Sequence, residues 1–175
     1  SITATKIVYD SIFTRYDTTE TNLPNELSNI LNSRERKEYL SGENRLTGYL
    51  YKNESENKKE ALVVIAPGFR ASADDYLWQI NSLLSYGWSV FAFDTTGSCE
   101  SEGESSVGFA QELLDVKATL DFIEFNNRFG FSEIALLGHS RGGYAACCAL
   151  SFEYDISAVV AVSGINSAME GVIGS

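Results

Sequence analysis

Histidine is almost missing from this chain: His139 is the single one in 175 residues. With one imidazole and three cysteines, Cys99, Cys147 and Cys148, two of them adjacent, neither a zinc-ligand set nor a disulfide framework can be composed. The helix thiols are read as buried, with no redox or metal role. Basic residues are few as well, 13 against 24 acidic ones. The resulting formal charge of −11 removes the basic face that a nucleic acid or an anionic membrane surface would need. No stretch approaches the roughly 18 consecutive apolar residues of a membrane span, and no charged leader precedes an apolar run at the start, so a cytoplasmic protein is expected. Neither GxGxxG nor GxxxxGK[ST] follows a strand, which excludes a nucleotide-binding reading. No cofactor is expected.

What is present suits one core, since 44% of the residues are hydrophobic. Residues 1–35 read as an extension with a short helix, in which Leu23, Leu27, Ile30 and Leu31 fall at helical spacing behind Thr21 and Asn22 as caps. Two short segments, 36–40 and 46–51, flank Ser41-Gly42-Glu43-Asn44 and predict a hairpin. The apolar run 61–66, Ala-Leu-Val-Val-Ile-Ala, predicts a strand covered on both faces, as do 89–93, 134–137 and 158–162. Between them lie helical patterns. The first holds Tyr76, Leu77, Ile80, Leu83 and Leu84, with Gly87 as its stop. The second carries the stripe Phe109, Leu113, Val116, Leu120 and Ile123 up to Gly130, with Glu112, Asp115, Asp121 and Glu124 off the stripe. Alternating strands and helices predict an α/β fold with a mostly parallel, doubly wound sheet of about six strands.

The most informative stretch is 132–150. A short buried strand leads into Gly138-His139-Ser140-Arg141-Gly142, and a helix follows. Small residues on either side of Ser140 allow a sharp reversal that presents its hydroxyl at a helix N-terminus. Two further signatures stand upstream in the same order: Ala66-Pro67-Gly68-Phe69, and the small polar loop Asp94 to Gly103, each at the end of a strand.

With these three signatures, residues 36–175 resemble the N-terminal portion of an α/β-hydrolase core domain. The resemblance implies a serine hydrolase acting on a small-molecule carboxylic ester or related acyl substrate, with Ser140 as nucleophile. It implies an oxyanion hole formed by the backbone N–H groups of Phe69 and Arg141. Because both donors are main-chain, the side chains at 69 and 141 are expected to shape the pocket or pack. Two departures stand out: Pro67 replaces the family's usual histidine, and Cys99 occupies a loop position that often wants positive φ.

A general base is not evident in the sequence. His139 adjoins Ser140 inside the turn, Asp155 precedes the last strand, Glu170 has no histidine to orient, and Lys117 faces solvent. The expectation is therefore the front part of a longer hydrolase, inactive alone, with the triad acid, histidine, later strands and cap outside it. The strand 158–162 would then be an apolar edge, free to pair with the missing segment or another chain. The alternative is a non-catalytic binding or scaffold protein on the same fold.

Overall fold

The computed structural model describes residues 6–7, 10–18, 23–106 and 108–164. Its frame is a six-stranded mixed sheet of β1 (Glu35–Ser41), β2 (Asn44–Tyr51), β3 (Ala61–Ala66), β4 (Ser89–Phe93), β5 (Glu133–His139) and β6 (Ala158–Val162). The spatial order is β1-β2-β4-β3-β5-β6. The hairpin β1-β2 joins β4 antiparallel, and β4, β3, β5 and β6 run parallel. Gly42 turns the hairpin with φ 61°. All six residues of β3 are buried, as its unalternating sequence requires of a strand covered on both sides.

The two faces are covered by α1 (Asn25–Ser33), α2 (Leu77–Ser85), α3 (Phe109–Phe125) and α4 (Arg141–Ala149). Side chains alternate along each strand and so feed two cores. On one face Leu46, Leu50, Leu62, Val64, Phe91, Phe93, Ile134 and Leu136 pack with Val116, Leu120 and Ile123 of α3 and Ala145, Ala146 and Ala149 of α4. On the other, Tyr49, Tyr51, Ile65, Val90 and Ala92 pack with Leu27 of α1 and Leu77 and Ile80 of α2. A 3₁₀ turn, Ala73–Tyr76, leads into α2, and Ser72 and Asp75 close a reciprocal capping box at its start.

Several sequence expectations need correction. The caps placed at Thr21 and Asn22 lie outside the described residues, as does Glu170, and α1 begins directly after Pro24. Helix α3 ends at Phe125 rather than running to Gly130. Asn127, Arg128 and Phe129 all take left-handed φ near 50°, which turns Phe129 back to stack on Phe91 at 6.0 Å between ring centroids. The thiols are not buried: Cys147 is exposed, Cys99 and Cys148 half-buried. The covered face of α4 is its alanine and glycine side, where close approach to the sheet leaves no room for larger groups.

The main correction concerns α3. Glu112 and Asp115 are fully buried, because they serve groups brought in from elsewhere in the chain. Asp115 accepts from Ser41 Oγ at 2.7 Å, from the Thr96 amide at 2.7 Å and hydroxyl at 2.9 Å, and from Gln111 Nε2 at 2.8 Å. It thus fastens the hairpin and the loop after β4 to α3. Its burial raises the carboxyl's pKa, and the donors oppose that shift. Asp115→Ala strands these donors and is expected to cost about 2–4 kcal/mol in urea unfolding. Lys117→Ala removes a surface pair with Asp121 and a distant approach to the Phe152 ring at 6.0 Å, and is expected to change stability by no more than about 0.5 kcal/mol.

Candidate active site

Ser140 sits where β5 hands over to α4, with φ 52° and ψ −118°, a conformation that L-residues adopt only when their surroundings hold them there. Three close approaches do so. A Cβ on Gly142 would stand 2.2 Å from the carbonyl oxygen of Ala66, and one on Gly138 would stand 2.4 Å from that of Gly142. The Ser140 amide donates to Val162 O of β6 at 2.9 Å. Ser140 is half-buried, and its hydroxyl does not cap its own helix. Arg141 opens that helix, and an amide in this first turn has no intrahelical acceptor.

The loop after β3 lies against this turn. A Cβ on Gly68 would meet His139 Nδ1 at 3.0 Å and Ser140 Cβ at 3.4 Å. One phenol ties loop and turn together: Tyr76 Oη accepts the Gly68 amide at 2.8 Å and lies 3.0 Å from His139 Nδ1. Burial raises the Tyr76 pKa, so the hydroxyl stays protonated and can donate to that nitrogen. The His139 ring is thereby held toward Tyr76.

The side chains of the two residues following Gly68 and Ser140 also meet. The Arg141 guanidinium carbon stands 5.2 Å from the Phe69 ring centroid, and Phe69 packs edge-on against Phe13 at 5.6 Å. Behind Arg141, Glu112 Oε2 is 2.7 Å from Nη2, with both side chains almost wholly buried. The third signature loop is anchored by Asp94, which accepts the amides of Ala73 at 2.9 Å and Glu100 at 3.3 Å. Burial pushes its carboxyl up to about 6 although the amides favour the charge. Cys99 in that loop takes φ 46°, the conformation its position demanded.

Residues 57–169 match the family model described as serine aminopeptidase, S33. The chain belongs to this family of α/β-hydrolases. Cutinase est1 of Thermobifida alba is 27% identical over 105 residues, which is 60% of this chain and 35% of that protein. The Pyrococcus furiosus esterase Pf2001 superposes with a TM-score of 0.71 at 25% identity, over 86% of this chain and 58% of its own. Est1E of Butyrivibrio proteoclasticus, solved with ferulic acid, shares the fold at 21% identity and a TM-score of 0.59, over 70% of this chain and 50% of its own. The chain thus spans about a third of the cutinase and somewhat over half of the first esterase. No helix among the described residues is long and apolar enough to cross a membrane, and among them no group of three or more His, Cys, Asp or Glu could hold a metal ion.

In this member of the α/β-hydrolase family, the sequence-derived candidates Ser140, Phe69 and Arg141 converge on one end of the parallel strands. Sequence reasoning missed Glu112, Tyr76 and Phe13. A signal for Glu112 existed, because the buried positions Val116, Thr119 and Ile123 extend back to it at helical spacing. Burial pushes the Glu112 carboxyl up to about 7, with the Asp115 charge adding to this and the Arg141 guanidinium opposing it. A carboxyl whose pKa is raised by folding stabilises the protein below its ordinary value of about 4.5, and that contribution is lost as pH rises through about 7. Relative to Glu112→Gln, the wild type is therefore expected to lose up to about 3 kcal/mol between pH 4.5 and 7.5. Denaturant unfolding of both proteins across that range checks this, and parallel pH profiles would refute it.

Proposed function

We propose that this chain carries the nucleophile and oxyanion hole of a serine esterase acting on small carboxylic esters. The single observation that carries the reading is Ser140 itself, held at positive φ on the N-terminus of α4 with its hydroxyl free of capping duty. The Ser140 Oγ attacks the ester carbonyl carbon while its proton passes to a base. The tetrahedral oxyanion is received by the amide hydrogens of Phe69 and Arg141. Collapse breaks the C–O bond to the alcohol, which leaves with the proton, and water then cleaves the acyl-enzyme. The relatedness to an esterase and a cutinase supports esters over amides as substrates.

No histidine other than His139 stands in this sequence to serve as the base. His139 is the single histidine, and its Nδ1 is engaged by Tyr76 at 3.0 Å. We infer that the base and its orienting acid come from chain outside this sequence, consistent with the greater length of the matched esterase.

The test uses the full-length gene product. A fluorophosphonate probe is expected to label Ser140, as read by peptide mass, and Ser140→Ala is expected to abolish labelling and lower kcat/KM on p-nitrophenyl acetate by at least about 10³-fold. If neither protein is labelled or turns over, the fold serves binding without catalysis.

A further inference from the structure

Phe13, Phe69, Arg141 and Glu112 form a column that runs from the N-terminal segment, through the loop after β3 and the first residue of α4, to α3. Its two middle members are the residues whose amides the ester-hydrolase reading assigns to the oxyanion hole. We propose that this column is a positioning device, in which the Arg141 side chain, backed by Glu112, holds the Phe69 ring and so fixes the spacing of the Phe69 and Arg141 amide hydrogens.

Three observations support this. First, the ion pair is costly where it stands: Glu112 and Arg141 are almost wholly buried, and despite the 2.7 Å contact no aligned hydrogen bond serves either Glu112 oxygen or Arg141 Nε and Nη1. A buried pair so poorly satisfied adds little stability over an apolar replacement, so its presence beside the candidate oxyanion hole calls for another role. Second, no aligned hydrogen bond from Nε or Nη1 fixes the guanidinium, which leaves the carboxylate behind it and the ring above it as its described contacts. A cation over a ring face is attractive, and more so when water is excluded. Third, the ring is braced from outside. Phe13 is buried on it, and the segment bearing Phe13 is tied to the loop after β4 by Tyr16 N to Gly97 O at 3.0 Å, Cys99 N to Tyr16 O at 2.7 Å, and Arg15 Nη1 to Ser101 O at 2.9 Å. The loop after β3, whose register sets the Phe69 amide, is thus gripped from both sides through one side chain.

The inference rests on the ester-hydrolase reading, and full-length protein separates the two. Steady-state hydrolysis of p-nitrophenyl acetate and the rate of fluorophosphonate labelling are measured for Phe69→Leu, Phe69→Tyr and the double variant Glu112→Gln/Arg141→Met, which leaves no lone buried charge. Phe69→Leu is expected to lower kcat about 10-fold with KM within about twofold, and Phe69→Tyr, which keeps a ring over the guanidinium, to recover most of that loss. The double variant is expected to lose about 10²-fold in kcat, the scale of a displaced donor. A merely structural role would lower the thermal midpoint without this kcat-selective loss or its rescue by tyrosine. Equal kcat for Phe69→Leu and Phe69→Tyr overturns the column even if the double variant fails to fold. If wild type is labelled while these variants react at its rate, only the column falls. If wild type is neither labelled nor active, the ester-hydrolase reading falls, and the column with it.

Discussion

The contact between the first turn of α4 and the end of β3 is the constraint on which the rest of this structure depends. A methyl group on Gly142 would sit 2.2 Å from the Ala66 carbonyl oxygen and 2.4 Å from that of Pro67, so backbone meets backbone with no side chain between. Only at that distance can β5 deliver Ser140 beside Gly68. The positive φ of Ser140 follows from it, since the chain must reverse within one residue to bring the helix back over β3. The pairing of β3 with β5, Ala66 opposite Gly138, sets the two strand ends level and makes the loops that leave them neighbours.

Around this apolar frame the protein buries three carboxyl groups, in a chain whose formal charge is −11. Asp94, Glu112 and Asp115 all lie within the fold, and burial raises the pKa of each. They differ in what offsets the cost. Asp115 and Asp94 are met by several amide, amide-side-chain and hydroxyl donors, which makes them fasteners for the loop after β4. Glu112 is met by one guanidinium in poor alignment. The first two are therefore accounted for by architecture, whereas the third carries a net penalty that the fold alone does not repay.

Much of this was legible in the residues. The unalternating run Ala61 to Ala66 marked the central strand, because a strand buried on both faces has no solvated side to encode. Glycines around Ser140 marked the turn, because close approach needs missing Cβ atoms whatever the partner is. Cys99 at φ 46° was readable as a residue forced into a glycine position. The buried acids were not, since hydrophobic periodicity assigns a carboxylate to solvent by default and cannot see that Ser41, Thr96 and Arg141 come to meet it from far along the chain. For the same reason Tyr76 read as one more apolar position of its helix, although its hydroxyl links Gly68 to His139. The outward face of Cys147 depended on the helix's rotation about its axis, which its small residues left unspecified.

The turn at Ser140 is held unequally on its two sides. Toward β3 it rests on the fully buried strand at the middle of the parallel stretch, by contacts too short to loosen without moving the sheet. Toward β6 its described contacts are an amide-to-carbonyl bond to Val162 and the packing of Gly143 near Ala161, on the strand at the end of the sheet order, where Val160 and Val162 are about half exposed. Local stability follows buried apolar contact, and the outer strand has the least of it. The position of the hydroxyl is thus fixed by the β3 side, while the orientation of its own amide depends on the outermost strand of the described sheet.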